Sequence, residues 1–330
     1  MKRLLVALLM ASLSGPGLAA AGPIVDTGFV VDSARRGAIL WDVRSAQEYA
    51  KGHLPGAVNI GDAAQVLRDP NTEDFLATEK IEKILGEAGI DPSREIVVYG
   101  NRGTWNPYLG HYTIQYFGGT RVYVYHGGID DWRTAGNPVA AAPTRLAPVA
   151  LKLTVNPGVS VSTAEMVARL KNKDVQIIDA RTPGEYRGED IRAIRGGHIP
   201  GAINIPYEMN WVDPEAAAKL AKKQVTNSSG MSLKPADQLQ ALYANLDPNK
   251  ETIVYCQSGA RASETAAVLQ QLGFRNVKVY DSSWLGYGNT LDAPADNVTF
   301  FNVGALNGRI AAMQARVEQL ERDLAEAKKR

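Results

Sequence analysis

Short apolar runs alternate with stretches of helical periodicity along most of the chain. In the second half, a helical pattern follows Ser162 to about Leu170, and further helices are predicted over 235–246 and 262–272. Because strands that alternate with helices form a parallel sheet covered on both faces, the predicted fold class is α/β. Strands are predicted over short runs rich in Val, Ile and Tyr, namely 175–179, 201–205, 252–255 and 277–280.

The pattern changes near the C-terminus, where apolar residues recur at alternating spacings of three and four. β-Branched residues at position a, with mostly Leu or Met at d, favour a parallel two-stranded coiled coil. The flanking charges agree, because Arg316 would meet Glu321 of a second chain. We expect a coiled-coil segment over 300–330 that joins two chains into a homodimer through 303–327. A trimer is the second possibility for self-association. The alternative to self-association is an amphipathic helix folded onto its own domain. The heptad residues are Val303, Ile310, Val317 and Leu324 at a, and Leu306, Met313, Leu320 and Ala327 at d.

The two halves of the chain repeat one ordered set of sequence blocks. A shared order of this length indicates two copies of one fold, each a parallel sheet flanked by helices. We predict domains at 22–140 and 158–299, joined by a linker at 141–157 that is rich in Ala and Pro. The matched blocks are 41–44 with 178–181, 48–49 with 185–186, 52–60 with 197–205, 96–99 with 252–255, and 121–125 with 276–280.

Composition and charge exclude few classes of function. The chain has 330 residues, 45% of them hydrophobic, and its net charge of +1 indicates no nucleic-acid partner. Residues 1–21 are typical of a secretory signal peptide, with Lys2 and Arg3 before an apolar run and small residues at a cleavage site. The apolar run is too short to span a bilayer. We expect a periplasmic protein with no membrane attachment after cleavage.

The single cysteine of the chain, Cys256, lies where a predicted strand meets a predicted helix. Unpaired N–H groups and the helix dipole at such a junction favour a thiolate and hold an anion attached to its sulfur. An unpaired cysteine in an exported chain also indicates a reactive thiol. Cys256 is therefore predicted to be a nucleophile, with a buried structural thiol as the alternative. The loop that it opens reads Cys256-Gln257-Ser258-Gly259-Ala260-Arg261.

The two copies differ where this chemistry would occur. Gly100 is equivalent to Cys256, so we expect the first domain to be catalytically silent. The second copy carries insertions that we expect to frame a substrate entrance. His198 belongs to a Gly-His-Ile-Pro-Gly block whose counterpart occurs in the silent copy, so we expect it to have a structural role.

These blocks resemble the rhodanese family in its tandem two-domain form. The resemblance rests on Asp-Ala-Arg at 179–181, Glu-Tyr at 185–186, Gly-His-Ile-Pro-Gly-Ala at 197–202, the loop at 256–261 and Tyr-Asp-Ser-Ser-Trp at 280–284. It implies a sulfurtransferase whose loop cysteine takes a sulfane sulfur from an anionic donor such as thiosulfate or 3-mercaptopyruvate. The cysteine would carry this sulfur as a persulfide and pass it to cyanide or a thiol.

The resemblance also assigns roles to the arginines. Arg181 matches the arginine after the family's first acidic strand end and is expected to line the site, with an ion pair to Asp179 or Glu185 as the alternative. Arg261 is expected either to bind the donor or to brace the loop through a salt bridge. The main chain of residues 257–260 is expected to hold the terminal sulfur without a metal.

Two other classes of function remain alternatives. Cysteine phosphatases and arsenate reductases of similar fold need Cys-x5-Arg, whereas this loop is Cys-x4-Arg and too narrow for a tetrahedral oxyanion. A non-enzymatic sulfur or chalcogen carrier, or a scaffold in a periplasmic redox assembly, fits the same fold. Four scattered histidines and one cysteine lack metal-ligand spacing, so no metal or cofactor is predicted.

Overall fold

The computed structural model describes residues 22–328. The predicted signal peptide at 1–21 lies outside the described residues. The model confirms the α/β class, because it contains two five-stranded parallel sheets flanked by helices and a separate C-terminal helix.

The first domain is built on a sheet of strand order β1-β5-β4-β2-β3. All its neighbouring strands are parallel, and helices cover both faces. The strands are β1 (Ile24–Val25), β2 (Ile39–Asp42), β3 (Val58–Asn59), β4 (Ile96–Tyr99) and β5 (Val122–Tyr125), and the helices are α1 (Thr27–Arg35), α2 (Ala46–Ala50), α3 (Ala63–Leu67), α4 (Thr78–Glu87), α5 (Asn106–Tyr116) and α6 (Gly128–Thr134).

The second domain repeats this topology with the order β6-β11-β10-β7-β9. The predicted strand at 175–179 is observed with those bounds. Ser162 caps the helix that follows it, Thr163–Arg169, through a capping box with Glu165. The strands of this sheet are β6 (Ser160–Val161), β7 (Val175–Asp179), β9 (Ile203–Asn204), β10 (Glu251–Tyr255) and β11 (Asn276–Tyr280), and the helices are α7 (Thr163–Arg169), α8 (Pro183–Tyr186), α9 (Ala216–Ala221), α10 (Ala236–Leu242), α11 (Ala260–Gln271) and α12 (Ser283–Asn289).

A small antiparallel sheet that the hydrophobic pattern does not predict joins the inserted loop to the end of the second domain. Strand β8 (Arg195–His198) pairs with β12 (Asp296–Phe300). β8 has the sequence Arg-Gly-Gly-His and therefore shows no alternation of apolar residues. Its glycines allow the close approach instead, since a Cβ at Gly197 would lie 2.3 Å from the carbonyl oxygen of Asp296.

The two domains share a continuous apolar interface. Helix α5 packs against α11, and Leu109 and Tyr112 of the first domain belong to the same buried cluster as Ala262 and Ala266 of the second. The segment 141–157 contains no helix, and its Leu153 packs into the core of the first domain. Because the two domains pack together in this way, the carboxyl ends of the two sheets have a fixed position relative to each other.

The tail forms one helix of 25 residues, α13 (Val303–Ala327), capped by the Asn302 side chain. None of these 25 residues is buried. Every a and d residue except Ala327 is a large hydrophobic with at least 41% of its surface exposed. Within the described residues, no part of the heptad face is buried by its own chain, and only its first turns, at Leu306, border a cavity on the second domain.

Candidate active site

A cavity of about 580 Å³ lies between the two domains, at the loop that joins β10 to α11. The first domain contributes Arg68 and Trp105 to its wall, and the second contributes Tyr207 and Glu208. The cavity is also lined by Cys256, Gln257, Ser258, Ala260 and Arg261, which are five of the seven predicted site residues.

Cys256 follows directly on β10, and its side chain lines this cavity although only 1% of the residue is exposed. Its carbonyl oxygen accepts from Trp284 N–H at 3.0 Å, which ties the loop to the start of α12. The thiol therefore has little solvent contact but faces a space large enough for a small anion. Low exposure strengthens electrostatic interactions at such a site.

The main chain of the loop offers unused hydrogen-bond donors. Among residues 22–328, the N–H groups of residues 257, 258, 260 and 261 have no hydrogen-bond partner. The last two belong to the first turn of α11, where N–H groups have no intrahelical acceptor. These donors and the helix dipole favour negative charge at the thiol side of the loop.

The other two loop N–H groups are fixed by Ser283, a residue to which the sequence analysis gave no role. Its hydroxyl oxygen accepts from Cys256 N and Gly259 N, both at 3.0 Å, and donates to Tyr280 O at 2.7 Å. The backbone of Ser283 is left-handed, with φ of +49°. The equivalent residue of the first domain is Gly128, at φ of +53°. The only sequence signal was this exchange of glycine for serine three residues after the last repeated block.

Gly259 is required at its position by close approach as well as by backbone conformation. Its φ is +81°, and a Cβ there would lie 2.8 Å from Oδ1 of Asp281. Its flexibility lets the loop turn into α11 against a buried carboxylate. This explains the glycine inside the predicted sulfur-holding segment.

Arg261 lines the cavity and also forms a two-point ion pair with Glu185. Its Nη1 and Nη2 donate to the two carboxylate oxygens at 2.7 and 2.8 Å. Burial alone would raise the pKa of Glu185, but the hydrogen bonds and charge of Arg261 outweigh it and lower the pKa to about 2. Of the two expected roles, the loop-bracing salt bridge is therefore present, and the guanidinium also borders the cavity.

Arg181 does not line the cavity. It is 1% exposed, and its guanidinium contacts both oxygens of Asp179 and the carbonyl oxygen of Gly197. In the first domain, Arg44 binds Asp42 in the same way. The geometry thus corresponds to the ion-pair alternative, a brace at the strand end that is present in both copies.

His198 has the structural contacts expected of it. Its Nδ1 is 2.8 Å from Tyr186 O, and its ring stacks on that of Tyr186 with centroids 3.7 Å apart. His53 and Tyr49 repeat both contacts in the first domain.

Arg68 is the main contribution of the first domain that sequence reasoning missed. Its Nη2 donates to Asp281 Oδ1 at 2.5 Å, and its Nη1 donates to Ser258 O at 3.3 Å. Burial alone would lower its pKa, but the charge and hydrogen bond of Asp281 raise it above the usual value. Arg68 lies outside every repeated block, so no pattern in the sequence marked it.

Two further properties concern the described residues as a whole. In the range 22–328, no group of three or more His, Cys, Asp or Glu side chains is placed to hold a metal ion. The helices of that range include none that is long and apolar enough to cross a bilayer.

Comparisons with known proteins identify the family of the chain. The Rhodanese-like domain family matches residues 30–135 and 162–290. A thiosulfate sulfurtransferase of Corynebacterium glutamicum is 34% identical over 283 residues, which cover 82% of this chain and 85% of the relative. A thiosulfate sulfurtransferase of Azotobacter vinelandii is 33% identical over 264 residues, covering 78% of this chain and 90% of the relative.

Among solved structures, a similar fold occurs in the anaerobic ergothioneine biosynthesis enzyme from Chlorobium limicola. The TM-score is 0.68 at 22% identity, covering 83% of this chain and 69% of that one. This likeness shows the fold alone. The two matches to the Rhodanese-like domain family and the relatives of similar length lead to one conclusion: the chain belongs to the rhodanese family and is a two-domain sulfurtransferase.

Proposed function

We propose that Cys256 accepts a sulfane sulfur from thiosulfate or 3-mercaptopyruvate, holds it as a persulfide, and passes it to cyanide or a thiol. The observation that carries this proposal is the lone thiol on an interdomain cavity, beside four unused main-chain N–H groups. A persulfide anion is large and polarisable, and converging N–H groups stabilise it without a metal. The names of the relatives favour thiosulfate as the donor.

The donor half-reaction balances without any further reactant. The Cys256 thiolate attacks the outer sulfur of thiosulfate, a new S–S bond forms, and sulfite leaves with the electron pair of the old bond. Arg261 and Arg192 border the cavity and favour the approach of an anionic donor. In the second half, the acceptor takes the sulfane sulfur and the thiolate is restored, which predicts ping-pong kinetics.

Treatment of the purified protein with thiosulfate is expected to add the mass of one sulfur atom to the peptide that contains Cys256. The reason is that the covalent intermediate persists until an acceptor arrives. Mass spectrometry of the digested protein measures it, with 3-mercaptopyruvate as the parallel donor. Cyanide added afterwards should remove the extra mass. A Cys256 peptide left unmodified by both donors contradicts sulfur transfer through this residue.

We also propose that the chain is exported to the periplasm, which rests on the signal-like sequence of residues 1–21. The intact mass of the protein purified from its native host reports whether these residues have been removed, and a full-length mass contradicts the proposal.

The tail is proposed to join two copies of the chain as a parallel coiled coil. Its support is the unbroken helix α13, the exposed heptad face and the charge pattern beside it. A single helix with such a face gains stability mainly by packing it against a partner.

Val317→Glu is expected to convert a dimer of the full chain into monomers, because it places a charge at the centre of the apolar seam. Sedimentation equilibrium measures the mass. Ala315→Glu, on the opposite side of the same helix, is the matched control and should leave the dimer intact. A wild-type chain that sediments as a monomer contradicts the proposal.

A further inference from the structure

Glu208 is a carboxylate of the cavity whose role the family resemblance does not explain. It lies in the 3₁₀ turn Tyr207–Asn210 and borders the same cavity as Cys256 and Arg261. Its Oε2 atom is buried, and no hydrogen-bond donor among residues 22–328 reaches it. An unsatisfied buried carboxyl oxygen is costly, so its retention beside a nucleophile calls for a functional reason.

The neighbouring buried carboxylates are bound in a different way. Both oxygens of Glu185 accept from Arg261, and Asp281 accepts from Arg68. Glu264 accepts from Trp211 at 2.9 Å through one oxygen, and its Oε2 atom is also buried without a donor among residues 22–328, but Glu264 does not border the cavity. Of these neighbouring carboxylates, Glu208 is therefore the one that combines a buried oxygen lacking a donor with a place on the cavity of Cys256.

The surroundings of Glu208 favour its protonated form more than water does. Burial raises its pKa, and the charge of Glu185 adds to this, while its own backbone N–H and the charge of Arg261 act in the opposite direction. A carboxyl group with a raised pKa is a better proton acceptor than an ordinary one. The titratable and charged groups around it are Arg261 and Glu264 from α11, Glu185 from α8, and Tyr207 from its own turn, with Lys234 bound nearby to Met209 O. The same cavity is also lined by Cys256 and Arg192 of the second domain and by Arg68, Asp69 and Glu73 of the first.

We infer that Glu208 is the general base of the acceptor half-reaction, and that the acceptor is a thiol that arrives protonated. The inference deepens the proposed function and depends on a persulfide at Cys256. An anionic acceptor needs no base, whereas a thiol must lose its proton before it can attack sulfur. Glu208 lines the same cavity as Cys256 and provides a group that can take this proton.

The step balances without an external oxidant or reductant. The Glu208 carboxylate takes the S–H proton, and the acceptor sulfur attacks the outer sulfur of the persulfide. The S–S bond to Cys256 breaks, and its electron pair returns to Cys256 as thiolate. The acceptor sulfur is thereby oxidised to a persulfide and the Cys256 sulfur is reduced. The proton then passes from Glu208 to the terminal sulfur of the product.

Glu208→Gln in the full chain tests the inference, with each half-reaction measured separately. Each rate is compared with the same rate of the wild type. The loss of transfer to 2-mercaptoethanol should exceed any change in persulfide formation from thiosulfate, or in transfer to cyanide at alkaline pH, by roughly 100-fold, the scale of general base catalysis. Transfer to the more acidic trifluoroethanethiol should fall less. The wild-type rate with 2-mercaptoethanol should be level above the raised pKa of Glu208 and drop below it. The variant depends on the free thiolate instead, so its rate should drop continuously as pH falls, without a level region.

The control is Glu264→Gln, which replaces a nearby buried carboxyl outside the cavity. Burial raises the pKa of Glu264 well above the usual value, so glutamine mimics its neutral form, and both acceptors should react as in the wild type. Equal losses with thiol and cyanide, or none with either, would overturn the role of Glu208. A wild-type protein that forms no persulfide would instead overturn the proposed function.

A second measurement needs no variant and covers the case in which Glu208→Gln does not fold. In the wild type, transfer to 2-mercaptoethanol should be slower in D₂O, and transfer to cyanide should not. Equal solvent isotope effects with the two acceptors would contradict proton removal by the enzyme.

Discussion

Cys256→Ser is expected to lower the rate of sulfur transfer by at least about 1,000-fold, because loss of a nucleophile removes the covalent route as a whole. Serine has nearly the shape of cysteine, so the buried loop and its contacts to Ser283 should persist. A hydroxyl group, however, does not ionise near neutral pH and forms no persulfide. Steady-state transfer from thiosulfate to cyanide measures the loss, and circular dichroism checks the fold.

The matched control for this prediction lies at the equivalent position of the first domain. Gly100→Ala changes the strand end there without touching the thiol, and its new Cβ would meet only side-chain atoms of Pro107 and Thr104, at 3.1 to 3.4 Å. Its activity should stay within about twofold of the wild type, as for a substitution that contacts no reacting group. If Cys256→Ser kept substantial transfer activity, the nucleophile would have to be sought elsewhere in the cavity.

Arg68→Met is the second change with a large expected effect. It leaves the Asp281 carboxylate buried without its cation, and breaking a buried ion pair from one side lowers the free energy of unfolding by about 3–5 kcal/mol. It also removes the donor to Ser258 O, so the loop loses its support from the first domain. Because small misplacements of a catalytic group are costly, we expect transfer to fall roughly 100-fold. Urea unfolding and steady-state kinetics measure the two effects.

The double variant Arg68→Met with Asp281→Asn separates stability from positioning. With no uncompensated charge left, most of the lost unfolding free energy should return. The transfer rate should stay low, because Ser258 O still lacks its donor. A single variant as stable as the wild type would show that the interdomain ion pair contributes nothing. Full activity of the double variant would show that Arg68 acts only on stability.

Much of the architecture could be predicted from the sequence because it depends on local patterns and on repetition. The parallel strands are short apolar runs, and the repeated blocks indicate two copies of one topology. The thiol at the end of β10 was identifiable because a lone cysteine at a strand–helix junction has few structural explanations. Its position on the cavity follows from the same junction, which the topology places at the carboxyl edge of the sheet.

The residues that were missed or misplaced depend on contacts between distant segments. Arg68 reaches the loop only because the two domains pack together through α5 and α11. Ser283 acts through its hydroxyl in an unusual backbone conformation, which no hydrophobic pattern reveals. An arginine follows an acidic strand end in both copies, and the coordinates are needed to show that Arg181 forms a structural ion pair and does not line the cavity. Sequence spacing identified candidate site residues but did not show in which direction their side chains point.

The left-handed backbone at Gly128 bears on whether the first domain could take on the chemistry proposed for the second. A Cβ at that glycine would lie 2.1 Å from the Gly100 carbonyl oxygen, so a serine there would force the neighbouring main chain to move. A cysteine introduced at position 100 alone would leave its loop without the hydroxyl that Ser283 provides in the other copy. A second thiol site thus calls for at least two interdependent substitutions, and this epistasis makes an exchange of roles between the two halves hard to reach by single changes.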